Sequence, residues 1–388
     1  LNVTTARPLG SDKLLSLESL RGLAALSVAL FHFDVGSHLN STLTARAWMM
    51  VDLFFVLSGF VIALTYRDKI LRLPDLAVFQ WKRFKRLYPL HVTMLLIFLG
   101  IEVLKWVVGH LNIAQANNPP FSSNDLGSFV QNLLLIQAWV SPQMTWNFPS
   151  WSISAEFYTY LIFGIFFLIA KRSLGLLLPL LAVTIIASGL ALAGQFGTDI
   201  NLFPFRCLYA FGIGVVGQIL FARYALAGTL RTSTTAAVML IATVLLVTLG
   251  TTAFGSPAFP AIPLVFCALI LSLAATCEDA VVIRIASLRP LVHLGTISYG
   301  VYMIHAAVWW VYRQVAIMVL HAPSSVNGEG MVTIKFESPL TADAFTLSGL
   351  ALTVLLAHLS YTYLETRFYR SSRSARPKPV LGAERPAS

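Results

Sequence analysis

Ten runs of roughly twenty apolar residues, each closed by a short polar turn, leave this chain few ways to fold. In hydrocarbon every backbone N–H and C=O must be satisfied within the chain, so runs of this length become helices. The strands of a membrane barrel would instead alternate over about ten residues. The runs are 16–38, 47–66, 88–109, 152–170, 174–193, 204–222, 235–253, 260–276, 295–319 and 341–365. Only 11% of the 388 residues are charged and 57% are hydrophobic, too little polar surface to cover a soluble domain. The fold class expected is all-α, a polytopic transmembrane helix bundle over residues 1–370, followed by a disordered basic tail over 371–388.

An even number of spans puts both termini on one side, and the positive charges say which. Of 27 Lys and Arg residues, 21 fall on the terminal side and two, Arg46 and Lys335, on the other. The remaining four, Arg21, Lys105, Arg206 and Arg313, lie within spans. Cytoplasmic loops carry the excess of Lys and Arg, so both termini are expected in the cytoplasm. The formal charge of +10 then belongs to a surface facing anionic membrane lipid rather than to nucleic-acid binding. Cys207, Cys267 and Cys277 lack the spacing of a metal site or a disulfide framework and read as packing residues. The first run carries Arg21 and His32 and has no small-residue cleavage site, so it is expected to be retained.

Two connections stand out. The cytoplasmic one, from Arg67 to Leu87, ends in the basic aromatic cluster QWKRFKRLYPLH. The external one, His110 to Ser150, carries no Lys or Arg. Its apolar middle, LGSFVQNLLLIQAW, is too short to span and is expected as an interfacial or re-entrant helix.

Arg21 and His32 share the first run, eleven positions apart. At ~100° per residue they fall within about 20° of one helix face, ~16 Å apart along its axis. An ionisable side chain inside a span is costly and faces a cavity or the bundle interior, so two on one face suggest a lined path. His32 is expected ~9 Å below the external end of its span, and Asp52 ~7 Å into the second. Glu156 and Arg206 enter the fourth and sixth spans at a similar level. His, Asp and Glu at one depth are the material of a general base, an imidazole oriented by a carboxylate. Taken singly, each is as well explained as a buried polar group satisfied by a helix neighbour.

Arg83 and Arg86, beside Lys82 and Lys85, can grip a phosphorylated ligand by paired hydrogen bonds or anchor the chain on anionic lipid. Ser58 and Gly59 read as small residues that let helices approach, since no strand-turn-helix context marks Ser58 as a nucleophile. His305, near mid-membrane in ISYGVYMIHA, reads as cavity lining or as a satisfied core histidine.

Six ordered stretches together resemble the acyltransferase 3 family, integral membrane proteins that O-acylate bacterial cell-surface sugars and some small natural products. LESLRGLAALSVALFHF resembles the family's opening motif, through Arg21 and His32, and VDLFFVLSGFVIA its second-span signature, with Asp52, Ser58 and Gly59. RFKRLYPLH is similar to its cytoplasmic Arg-x-x-Arg motif, giving Arg83 and Arg86, and WSISAEFYTY to its Trp-Ser-x-Ser-x-Glu stretch, giving Glu156. ISYGVYMIHA and YLETRF resemble its closing motifs. Phe157 stands where the family often has a second acidic residue, so no paired-carboxylate role is carried over. Some relatives append an extracytoplasmic esterase-like domain, and this chain is expected to work without one.

The resemblance implies a cytoplasmic acyl-CoA donor, usually acetyl-CoA, a hydroxyl acceptor, His32 as the essential catalytic residue, and no metal or bound cofactor. The expected geometry sets the donor phosphates on Arg83, Arg86 and Arg21, with the pantetheine arm threading toward His32. There the imidazole, held by Asp52 or Glu156, acts as general base or forms an acyl-histidine. Ser58, Tyr302 and Arg206 are candidate oxyanion donors and, with His305, candidate cavity lining. The expected acceptor is an extracytoplasmic glycan at the bacterial inner membrane, with an intracellular natural product such as a macrolide as the alternative. A secondary transporter is the alternative of another class, and the chain shows no internal repeat of the kind transporters use.

Overall fold

The computed structural model describes residues 11–112, 119–194, 201–249, 258–326 and 332–370. The expected tail over 371–388 lies outside the described residues. In chain order the helices are α1 (Ser11–His32), α2 (Met50–Tyr66), α3 (Leu73–His110), α4 (Leu126–Leu133), α5 (Gln137–Val140), α6 (Trp151–Ala170), α7 (Leu174–Leu192) and α8 (Leu202–Arg223). They continue as α9 (Thr234–Leu249), α10 (Ala261–Ala275), α11 (Val281–Ala286), α12 (Arg289–Thr296), α13 (Ser298–Met318), α14 (Pro339–Ser360) and α15 (Thr366–Arg370). A short antiparallel hairpin, β1 (Ser324–Val326) with β2 (Val332–Ile334), links α13 to α14. Among the described residues six helical segments are long and apolar enough to cross a membrane, or seven if the bent pair α12–α13 is one span. Helix α1 and the shorter α9 and α10 are not among them.

Helices α2 and α8 form the inner pair, and small residues set their separation. A Cβ on Gly59 would lie 2.1 Å from the Phe211 carbonyl oxygen, and one on Gly214 would lie 2.0 Å from that of Val56. The two backbones therefore touch, as small residues at membrane helix interfaces permit. Helix α1 packs on α2, α12 and α13, which places it inside the bundle. The chain bends by 68° between α12 and α13.

Two expectations are corrected. Helix α1 ends at His32, short of the predicted end at residue 38, so His32 occupies the last turn instead of lying well inside a span. The chain leaves the helix through Gly36 at φ 68°, and Asn40 stabilises the exit by donating to the Phe33 carbonyl at 3.1 Å. The cluster QWKRFKRLYPLH is not in a connection: it belongs to α3, one helix of 38 residues. At ~1.5 Å per residue such a helix exceeds the hydrocarbon thickness, so its basic first half projects beyond the apolar core. Its start is fixed by Asp75, whose carboxylate accepts from the backbone N–H groups of Leu71 and Arg72. Trp309 is buried with its ring 5.1 Å from that of Phe33.

The apolar middle of the external connection forms α4 and α5, in keeping with the short helix expected there. Asp125 caps α4 by accepting from the Ser128 N–H at 2.7 Å, which holds its carboxyl below the usual carboxylate range. Buried Asn132 donates to Thr145 at 3.0 Å, and its carbonyl pairs with His91 of α3 at 2.8 Å. These bonds lock the segment onto the bundle without exposing backbone polar groups to an apolar environment.

Candidate active site

A cavity of 90 Å³ lies between α1, α2, α3, α6 and α13. Its mouth is a ring of three arginines. Arg21 comes from α1, and Arg83 and Arg86, one turn apart, come from α3. The same three line a second, open basin of 440 Å³, to which Lys82, Lys85 and Glu18 also contribute. The ring thus separates a basic vestibule from an inner chamber. Arg83 lies over the rings of Tyr66, Phe79 and Tyr160 at 5.5–5.8 Å, and its buried Nε has no hydrogen-bond partner among the described residues. A buried guanidinium donor left unpaired is costly, and a bound anion is the natural partner for it. Arg21 pairs with Glu18 in the vestibule at 3.1 Å.

Glu156 projects into the chamber from α6. The Ser58 hydroxyl donates to it at 2.5 Å and the Tyr160 hydroxyl at 2.5 Å. At the inner end stands Tyr302 of α13, whose hydroxyl donates to the Pro149 carbonyl at 3.1 Å and accepts from Ser152 at 2.9 Å. The ring of Tyr302 lies 5.9 Å from that of His305, one turn along the helix.

His32 sits beyond that point, and the structure pairs it with neither carboxylate. Its Nδ1 lies 2.9 Å from the Val28 carbonyl oxygen and 3.2 Å from Nε2 of His305. The two imidazoles stack with centroids 5.0 Å apart, and Phe31 and Phe148 each approach the His32 ring to 4.7 Å. Asp52 is taken by Arg206: Nε donates to Oδ1 at 2.8 Å and Nη2 to Oδ2 at 2.7 Å. Nη2 also donates to the Trp48 carbonyl at 3.0 Å, while Trp48, Trp151 and Phe259 surround the guanidinium at 5.2–5.8 Å. Opposite charges in a low-dielectric interior seek one another before either settles for a neutral imidazole.

Of the ten expected site residues, the cavity therefore gathers Arg21, Arg83, Arg86, Ser58, Glu156 and Tyr302. It leaves out His32, Asp52, Arg206 and His305. Arg206 and His305, candidates for cavity lining, do not line it, His305 taking the core position that is its other reading, and the carboxylate partner expected for His32 is corrected to His305. Among the described residues no group of three or more His, Cys, Asp or Glu side chains could hold a metal ion.

The model of the acyltransferase 3 family, described as an acyltransferase domain, matches residues 14–362. The chain belongs to the acyltransferase 3 family. Acyltransferase MdmB of Streptomyces mycarofaciens is 27% identical over 410 aligned positions, covering 97% of this chain and 96% of that protein. Protein 2 in the picA locus of Rhizobium radiobacter is 34% identical over 99 residues, 25% of this chain and 50% of that protein. No solved structure matches. The protein is a membrane transferase of acyl groups, with several helices able to span. Four polar residues of this acyltransferase 3 cavity carried no sequence expectation: Ser152, Tyr160, Ser298 and Tyr299. The signal for the first two was available, because Ser152, Glu156 and Tyr160 follow one another at four-residue steps on one helix face.

Proposed function

We propose that this acyltransferase moves an acyl group, acetyl in the first place, from cytoplasmic acyl-CoA to a hydroxyl of an extracytoplasmic glycan, across a bacterial inner membrane. The observation that carries the reading is the arginine ring between vestibule and chamber, with the buried Nε of Arg83 lacking a partner among the described residues. Coenzyme A has the complementary shape: a phosphorylated end for Arg21, Arg83 and Arg86, and a long neutral arm to pass between them. The chamber is small, 90 Å³, so the arm widens it as it enters. Extension past Tyr302 brings the thioester toward His32.

There His32 serves as general base. The acceptor hydroxyl gives its proton to Nε2 as its oxygen bonds to the thioester carbonyl carbon. The carbon–sulfur bond then breaks, and the departing thiolate recovers that proton as coenzyme A thiol. The ten-span topology with cytoplasmic termini belongs to the same proposal. It is supported by the 21 Lys and Arg residues on the terminal side against two opposite, and by helices in all ten apolar runs.

Sealed vesicles of known orientation test it, with labelled acetyl-CoA on the terminus-bearing side and an envelope polysaccharide on the other. Labelled polysaccharide, with coenzyme A thiol released on the donor side only, is the expected result. Product formed only when both substrates share the terminus-bearing side would overturn the glycan reading in favour of an intracellular natural product. Solute flux without thiol release would indicate a transporter.

A further inference from the structure

Hydrogen-bond direction at His32 fixes where its proton sits. A carbonyl oxygen only accepts, so the 2.9 Å contact with Val28 requires Nδ1 of His32 to carry the hydrogen. The same N–H lies 3.2 Å from Nε2 of His305, which must then present a lone pair. His305 consequently keeps its own hydrogen on Nδ1. That atom turns toward the carbonyls of Val301 and Tyr302 in the preceding turn, makes no hydrogen bond of good geometry with them, and is buried. Both rings are thereby set in one tautomer, and Nε2 of His32 is left bare.

His305 suits the task of holding that arrangement. It is fully buried, sits mid-way along α13 where the backbone is fixed, and is flanked by the rings of Tyr302 and Phe148 at 5.9 Å. His32, by contrast, is half-buried in the last turn of α1, where the chain is about to leave the helix. The Val28 carbonyl fixes the tautomer but cannot share a proton. A second imidazole can. When His32 takes the acceptor's proton on Nε2, the neutral Nε2 of His305 faces the N–H whose acidity has just risen. The developing charge spreads over two rings at a place where, among the described residues, no carboxylate hydrogen-bonds to either.

We propose that His305 is the positioning partner of His32: it accepts the Nδ1 hydrogen of His32 and holds Nε2 toward the acceptor, the part expected of a carboxylate. The inference rests on the reading of His32 as general base, and the experiment separates the two. Full chain in detergent is assayed for thiol release from acetyl-CoA, with glycerol as hydroxyl acceptor and acetyl-CoA binding titrated alongside.

His305→Leu should lower kcat by about 10- to 100-fold and leave the donor KM and binding within about twofold. His305→Gln, whose amide oxygen falls near the position of Nε2, should recover most of the loss. An unchanged kcat in His305→Leu, a loss confined to KM, or a Gln variant as slow as the Leu variant would each overturn the inference. Should His305→Leu fail to bind acetyl-CoA, the Gln variant decides alone. A kcat nearer on a logarithmic scale to the parent than to His32→Ala supports the role, and one nearer to His32→Ala overturns it. Turnover in His32→Ala equal to the parent would remove His32 itself from the chemistry. An inactive His32→Ala beside a fully active His305→Leu would remove His305 alone.

Discussion

Arg206→Met should destabilise the protein severely, and a second substitution, Asp52→Leu, should give most of the loss back. Asp52 is wholly buried and the Arg206 side chain is 4% exposed, so neither charge has water to fall back on. At an effective dielectric constant of 20 and ~4 Å separation, the Coulomb attraction is about 4 kcal/mol. Removing both ions from water costs several kcal/mol each, so the intact pair is close to neutral against an apolar pair of similar volume. Losing one partner is another matter. It leaves a buried charge with broken hydrogen bonds, at a cost of about 3–5 kcal/mol. Methionine at position 206 still fills the slot between Trp48, Trp151 and Phe259. Each single variant should therefore lose about 3–5 kcal/mol and the double variant less than about 2 kcal/mol, a coupling of at least about 4 kcal/mol. Unfolding of the full chain in detergent measures stability, and thiol release per folded molecule measures activity. Additive losses in the double variant would refute the pairing argument. A stable Asp52→Leu variant that has lost turnover would refute the structural role and return Asp52 to the chemistry.

Arg83→Ala with Arg86→Ala should raise the KM for acetyl-CoA far more than that for a truncated pantetheine thioester lacking the phosphates, since only the former has anions for the ring. Equal losses with both donors would indicate lipid anchoring. Gly59→Ala or Gly214→Ala should abolish recovery of folded protein from detergent, because each new Cβ would meet a backbone carbonyl oxygen at 2.0–2.1 Å. Gly100→Ala, with nothing within 4 Å, should be neutral or raise stability by up to about 1 kcal/mol, read in the same unfolding measurement.

Helix positions were legible in the sequence because an apolar environment leaves the backbone no other way to satisfy itself. Their ends were not. Hydropathy carries α1 on through Phe33 and Val35, whereas Gly36 and the Asn40 bonds stop it at His32. The opposite error occurs in α3, where a dense run of charge around Lys82–Arg86 reads as a connection although Lys and Arg are good helix formers. Partner choice was the hardest to read. The sequence sets Asp52, Glu156 and Arg206 at one level, and electrostatics alone then favours the Asp52–Arg206 pair over any carboxylate–imidazole contact. That comparison needed only the charges. Nothing in the spacing of residues 32 and 305 says that two neutral rings will stack, because both helices must first be docked.

Helix α13 connects the parts of the site. Tyr299, Tyr302 and His305 advance at three-residue steps, so each stands ~4.5 Å further along the axis and they wind slowly around one side of the helix. Their polar atoms reach three different segments: the Tyr299 hydroxyl donates to the Leu87 carbonyl of α3 at 2.5 Å, Tyr302 to Pro149 just before α6, and His305 accepts from His32 of α1. The first two line the chamber and the third touches the base, so the helix registers the donor cavity against the reacting group. Helix α1 holds the same interval from the other side, with Arg21 at the vestibule and His32 eleven residues on, ~16 Å along the axis. Two rigid elements fixing one distance at both ends make the interval a property of the scaffold. A flexible loop carrying His32 would need loop ordering in every turnover, and that entropy would oppose the alignment that catalysis requires.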